Sequence, residues 1–509
     1  MSGEAKQHFQ KVVDTGAPVG EIIAVDRFLI TVRGMQPVTV HSPVIFEDSS
    51  KGFVHHILED KVVVLHLGTQ TLRVGMMAAA TANQLTTKVG KGYIGRVIST
   101  LGEPLDGKGA IAPDADWPVF NSAPPIYERQ LLDLQLETGV ALIDTLFPIV
   151  RGQRLALLGE SKSGKSTLVT QIAINQRNTD QIVIYVMIAR RRSDVDVLLT
   201  RLEENKALDK AIVVVSTIFE SLVMSYLAPY VGCALGEYLW RELDQDSLVI
   251  YDDLTTHAHA YREISLLAGA SPSRESYPGD IFHAHSMLLE RAGRLSKNKK
   301  HLTTIPVVLA DGGDVTGFLP TNIMSITDGQ WVLDMNIFRE GLRPAISTGL
   351  SVTRVGGRGH NDRQKKQNAD AMLALAQAAQ AKEYSQFGSD LELTAQKSMI
   401  RGRYLYELFT QGPGETHSLL AQQLMLDVVL GTDPTMGINI ADLKQRADEA
   451  VSLIKKEEDY QQILESLKGQ VTLAQSAAAP AESLEANGAT TAQVPQQAET
   501  KEETNETAK

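Results

Sequence analysis

The sequence predicts a multidomain α/β protein. A small β-barrel occupies residues 1–80, a central parallel-sheet domain 81–365, a helical domain 366–475 and a disordered acidic tail 476–509. Three observations carry this. β-Branched runs crowd the first eighty residues. Short, continuous apolar strands then alternate with helical stretches. From about residue 366, glycine and β-branched residues give way to Ala, Leu, Gln, Glu and Lys. A length of 509 residues suits about three domains, and 43% apolar with 22% charged residues is an ordinary globular balance.

In the first region, residues 21–26, 27–33 and 61–67 read as strands, with turns at Arg33-Gly-Met and Asp48-Ser-Ser. About six such strands without helices suggest a small β-barrel. In the second region, residues 154–158, 181–188, 211–215 and 247–251 are apolar throughout, as strands buried on both faces are. In the third, Met372, Leu373, Leu375 and Ala376 begin a helical stripe. Beyond Leu473 no aromatic residue remains, a composition with little to bury.

The central region carries the chemistry. Gly159-Glu-Ser-Lys-Ser-Gly164-Lys165-Ser166 fits the phosphate-loop pattern G-x-x-x-x-G-K-[ST] in full. Its glycines let backbone N–H groups wrap an anion, its lysine adds a mobile charge, and its serine is of the type that ligates Mg²⁺. A strand precedes it, and Leu168, Val169, Ile172 and Ala173 mark a following helix whose N-terminus faces the anion. About 0.02 chance matches are expected in a chain of this length. Residues 247–251 run into Asp252-Asp253, a buried strand ending in acids, which makes Asp252 the expected magnesium partner.

The balance of 61 acidic against 49 basic residues gives −12, which argues against a protein that coats nucleic acid. Six acids and two lysines after residue 476 put −4 of this in the tail. The single cysteine, Cys233, excludes an internal disulfide and reads as a core thiol. No apolar signal segment opens the chain, and apolar runs of about eight residues fall short of the ~20 needed to span a bilayer.

Further motifs run along the chain: Gly95-Arg-Val, Leu101-Gly-Glu-Pro-Leu-Asp-Gly-Lys-Gly, Pro148-Ile-Val-Arg-Gly-Gln-Arg, Tyr251-Asp-Asp-Leu, Tyr277-Pro-Gly-Asp and Leu288-Leu-Glu-Arg-Ala. Pro320-Thr-Asn-Ile, Ser325-Ile-Thr-Asp-Gly-Gln, Gly341-Leu-Arg-Pro-Ala-Ile and Gln386-Phe-Gly-Ser-Asp-Leu complete them. Up to about residue 470 the chain resembles the alpha subunits of F-type rotary ATP synthases. The resemblance implies a barrel, a RecA-like phosphate-loop domain and a helical domain. It implies Mg-ATP or Mg-ADP on Gly159, Glu160, Ser161, Lys162, Ser163, Gly164, Lys165, Ser166 and Thr167. Ser166 and Asp252 would hold Mg²⁺, and Phe338, Arg343, Pro344 and Gln411 would lie at the base. The implied assembly is a hexameric ring with beta subunits around a gamma shaft, held by peripheral-stalk (delta/b) subunits. It would sit on the cytoplasmic face of an energy-transducing membrane, the plasma membrane in a bacterium, and couple ion flow to ATP synthesis or hydrolysis. Contact with the membrane would be indirect, and no nucleic acid is implied.

Two features separate alpha from the homologous beta subunit. In beta, a strand ending in Gly-Glu supplies the carboxylate that positions water; here the strand ends Ala189-Arg190, and a guanidinium is no base. The isolated chain's own site is therefore expected not to hydrolyse. Ser351-Val-Thr-Arg354 resembles the alpha motif that sends an arginine into the beta site, making Arg354 the expected finger, with Ser351 beside it.

The chain also departs from the family. Glu160-Ser-Lys162-Ser replaces Asp-Arg-Gln-Thr, so Lys162 and Arg190 are expected to make the phosphate pocket unusually positive. Pro413 stands where a second glutamine would reach the base. The arm before the barrel is short, and the acidic tail is extra. His257-Ala-His259 and His283-Ala-His285 lack a third ligand at zinc spacing, and the basic run from Arg354 to Lys366 lies at a predicted domain junction. Two alternatives compete: a self-sufficient hexameric motor (an RNA translocase or export ATPase), which needs its own catalytic carboxylate, and a nucleotide-independent ring subunit, which the intact Gly164-Lys165-Ser166 disfavours.

Overall fold

The computed structural model describes residues 3–81, 84–386 and 393–473. The predicted tail, 476–509, and most of the Gln386-Phe-Gly-Ser-Asp-Leu motif lie outside the described residues.

Six antiparallel strands close the N-terminal barrel: Val19–Asp26, Leu29–Arg33, Pro43–Phe46, Lys51–Ile57, Lys61–His66 and Met77–Ala80. Its interior is filled by Ile22, Ile30, Val32, Val44, Phe46, Val54, Val62 and Val64. A helix, Gly3–Asp14, precedes it and seats Phe9 against Ile45 and Ala79.

The central sheet runs, edge to edge, through Val352–Thr353, Gly329–Leu333, Ala156–Gly159, His301–Leu309, Ser247–Asp252, Ile182–Arg190, Ala211–Thr217 and Arg96–Ser99. All neighbours on this path are parallel except the first pair. The continuous apolar runs are explained by burial on both faces. Val183, Tyr185 and Met187 enter one core with the helix after the phosphate loop. The intervening Ile182, Ile184, Val186 and Ile188 enter another, with the helix Leu222–Arg241. Cys233 lies in that second core as a free, fully buried thiol.

The helical region begins with Asp362–Gln386 and continues through Leu393–Phe409, Leu419–Gly431, Ile440–Ala450 and Glu457–Val471. Its first stripe differs from the expectation. Ala371, Ala374, Leu375 and Ala378 are buried, whereas Leu373 is 58% exposed and Ala376 is exposed. The 3.6-residue period continues inward from Gln364 and Gln367 and leaves Leu373 outside. No described helix is long and apolar enough to cross a membrane.

Candidate functional site

The phosphate loop leaves the buried strand Ala156–Gly159 and enters the helix Lys165–Asn175 at Gly164. Gly164 takes φ 98°, a left-handed conformation that glycine adopts without a Cβ penalty. Lys165 Nζ donates to the carbonyls of Gly159 (2.7 Å) and Glu160 (2.5 Å), folding its ammonium back into the loop. Burial pushes that ammonium down to about 8; Arg190 adds to the shift, and Asp253, Asp252 and Asp311 oppose it. Ser163 is buried beneath the loop, and its hydroxyl has no partner among the described residues. Ser161, Lys162 and Ser166 are exposed, while Glu160 and Thr167 are half-buried.

Arg190 does not stand free in this pocket. Its Nη2 donates to Asp252 Oδ1 and to Asp253 Oδ2 (2.9 Å), and its Nε reaches the Asp252 carbonyl (3.3 Å). Burial opposes its charge, but the two carboxylates outweigh burial and raise its affinity for the proton. The Tyr185 hydroxyl donates to the other Asp252 oxygen at 3.0 Å. Asp253 Oδ1 accepts from Thr256 N at 2.7 Å, capping the next helix. The expected surplus of positive charge is therefore corrected: Arg190 is neutralised where it stands, and Lys162 is left as the extra cation, with no ion-pair partner among the described residues. The same contacts bear on Asp252 as a magnesium ligand. Ser166 faces its carboxylate as that role requires, but both carboxylate oxygens are already engaged by Arg190 and Tyr185. With these side chains in place, the residues present do not fit a divalent ion.

At the base end, the Phe338 ring lies 4.0 Å from where a Cβ on Gly164 would sit. Arg343 stacks on that ring at 3.5 Å and donates to the Phe338 carbonyl at 2.6 Å. Pro344 follows in the same turn. Gln411 is buried, and its amide is spent on the backbone: Oε1 accepts from Ala141 N (2.7 Å), and Nε2 donates to Gly139 O (2.9 Å) and Glu415 O (3.0 Å). Its own N–H donates to Arg343 O at 2.7 Å. Gln411 thus holds the base-end turn from behind. Pro413 is exposed at the tip of the following loop.

Arg354 lies elsewhere. The edge strand Val352–Thr353 runs antiparallel to Gly329–Leu333, with Thr353 opposite Gly329, while Gly159 is opposite Leu333. At about 3.3 Å per residue, these two levels are ~13 Å apart along the sheet. Arg354 is therefore at the sheet end away from the chain's own phosphate loop. It is exposed; its guanidinium makes a 3.4 Å contact to Thr327 O and has no carboxylate partner among the described residues. Its turn is tightly held. Thr353 Oγ1 donates to Pro148 O at 2.9 Å and accepts from Gly356 N at 3.0 Å, and a Cβ on Gly356 would fall 1.7 Å from Pro148 O. Arg354, Arg358 and Lys365 line one hollow of about 520 Å³. Ser351 lines the same hollow as Arg354 but is recessed in it. It is 4% exposed, and its hydroxyl accepts from Val332 N at 3.0 Å, which pins the loop to the sheet.

Sequence reasoning missed Tyr185, whose position in an apolar strand reads as core alone, and Asp253, which the Asp252-Asp253 pair had signalled. The paired histidine motifs meet each other instead of a third ligand: His257 Nδ1 lies 3.3 Å from His285 Nε2, and both rings are buried.

Residues 139–353 match the nucleotide-binding domain of the ATP synthase alpha/beta family, and residues 363–484 match the C-terminal domain of ATP synthase alpha/beta chains. The chain is 40% identical to an ATP synthase subunit alpha of Proteus mirabilis over 82% of its own length and 83% of the relative's. It is 38% identical to the corresponding subunit of Thiobacillus denitrificans (81% and 82%). It is 39% identical to an ATP synthase subunit alpha 2 of Legionella pneumophila (79% and 80%).

Proposed function

Because the chain belongs to the ATP synthase alpha/beta family, we propose that it divides two tasks between the two ends of its central sheet. The chain is a nucleotide-binding alpha subunit of a rotary ATP synthase, acting with beta and gamma partners as a peripheral part of that complex. At one end, residues 159–167 hold the polyphosphate of a nucleotide whose base lies against Phe338, Arg343 and Pro344, with Gln411 supporting that turn. This site does not hydrolyse its nucleotide, because Arg190 stands where a water-positioning carboxylate would be.

At the other end, Arg354 is the arginine given in trans to a beta subunit's reacting phosphoryl group, and Ser351 is a positioning residue. The observation that carries this reading is the place of Arg354: exposed, unpaired among the described residues, on a tied turn and ~13 Å along the sheet from its own phosphate loop. A guanidinium that faces outward stabilises charge on a neighbour's transferring phosphate. Magnesium, where the complex uses it, supplies charge neutralisation on phosphate oxygens. Its place in this chain's own site is in conflict with Arg190. Attachment to a peripheral stalk and to the cytoplasmic face of the membrane follows the family pattern.

The test is to measure ATP binding and turnover by the full chain alone and after mixing with its beta partner. Binding without turnover, then turnover on mixing that Arg354→Ala abolishes, is expected. Sustained turnover by the chain alone would instead identify a self-sufficient motor.

A further inference from the structure

We propose that Arg190 is a built-in substitute for the divalent cation, so that this chain's phosphate loop takes its nucleotide as a metal-free polyphosphate. The proposal rests on the nucleotide-binding reading above and concerns the form in which the nucleotide is held.

Two carboxylates, Asp252 and Asp253, face the phosphate loop from the end of the strand Ser247–Asp252. In a metal-dependent site, an acid there offers a free oxygen to a hydrated Mg²⁺. Here Arg190 bridges both acids, and Tyr185 takes the remaining Asp252 oxygen. Asp253 has its other oxygen on a backbone N–H. The arrangement is enclosed: the Asp252 side chain is 3% exposed and that of Arg190 is 25% exposed. A divalent ion entering this corner must break a charge-assisted pair and then sit beside a guanidinium that cannot lose its proton.

The compensating charge for a metal-free anion is already present. Lys165 lies within the loop, Lys162 stands at its rim with no ion-pair partner among the described residues, and the helix N-terminus at Gly164 offers its N–H groups. Arg190 stays on the acids and removes the repulsion they would exert on the phosphates. The strand end supports this role. Ala189 takes φ 48°, an uncommon conformation for a residue with a Cβ, and it breaks the register between Met187 and Arg190 as the strand reaches its end.

The experiment is calorimetric titration of the full-length chain with ATP, once with millimolar Mg²⁺ and once with excess EDTA. The expected result is an affinity that changes by less than about threefold between the two, with a dependence of about tenfold or more appearing in Arg190→Gln. Arg190→Lys, which keeps the charge, is expected to remain insensitive to the metal. Binding by the wild-type chain only when Mg²⁺ is present overturns the proposal and leaves the nucleotide reading intact. Absence of binding in both conditions overturns the nucleotide reading and the proposal with it. The wild-type comparison decides the matter even if Arg190→Gln fails to fold.

Discussion

Single side chains decide what this subunit can and cannot do. Arg354→Ala is expected to lower turnover of the chain mixed with its beta partner by about 10³-fold or more. ATP binding by the isolated variant should stay unchanged, because Arg354 lies at the far end of the sheet. Rate and binding measured on the same preparation check both halves. Lys162→Ala removes a cation that has no ion-pair partner among the described residues and is expected to weaken ATP binding by about tenfold, as loss of a charge-assisted contact does; titration reads this directly. Ala189→Gly relieves a left-handed backbone at a non-glycine residue, worth about 1–2 kcal/mol, and gives back about 0.4–1 kcal/mol through the freer unfolded chain. A small net gain in the denaturation midpoint is expected. At this scale the placement of a residue was most legible where a local motif fixes it, as with Lys165 in the phosphate loop. It was least legible for Gln411, Ser351 and Arg190. Their hydrogen bonds go to partners that the chain brings close only on folding.

Elements turn these residues into devices. The turn that carries Arg354 is fixed by the close approach of Gly356 to Pro148 O. Gly356→Ala must push that turn outward and is expected to reduce turnover in the mixed complex while nucleotide binding by the chain persists. The loop after Gln411 sets one histidine between two acids. His417 Nδ1 lies 2.8 Å from Asp448, and its Nε2 lies 3.2 Å from Glu415. Burial opposes the imidazolium, yet the two acids outweigh burial and raise its pKa. A raised histidine contributes stability that is fully present below its unfolded pKa, near 6.5, and is lost as pH rises through the folded value. Both acids are partly open to solvent, so the effect is at most about 1 kcal/mol. Thermal stability is expected to fall slightly from pH 6 to pH 8, and this component should vanish in His417→Gln. The central strands were readable as elements because burial on both faces leaves an uninterrupted apolar run. The stripe of the first C-terminal helix was right for Met372 and Leu375 and wrong for Leu373 and Ala376, because the buried face is largely alanine and glutamine, a weak contrast with the exposed Leu373.

The whole molecule is held by contacts that join distant segments. Glu237 and Arg291 form a buried pair at 2.6 Å. Trp117 and Asn121 donate to the same Glu237 oxygen, and Arg291 also donates to Val119 O. The segment that follows the edge strand Arg96–Ser99 is thereby clasped onto the helix Leu222–Arg241. Arg291→Met leaves the buried Glu237 charge with Arg241 alone, at 3.6 Å, and is expected to cost about 3 kcal/mol, whereas adding Glu237→Leu recovers part of that loss. Denaturant titration of the single and double variants separates the two cases.

The sequence by itself determined the order of architectures, the phosphate loop, the arginine at residue 190 and the presence of a candidate trans arginine. These are carried by local pattern and residue type, which are set before the chain folds. Only the tertiary structure decided that Arg190 spends its charge on Asp252 and Asp253, and that Arg354 lies at the opposite end of the sheet from Gly159. Both outcomes depend on which strands become neighbours and in what register. Pairing within the sheet joins segments separated by tens to hundreds of residues, so no local pattern encodes the distance between their ends.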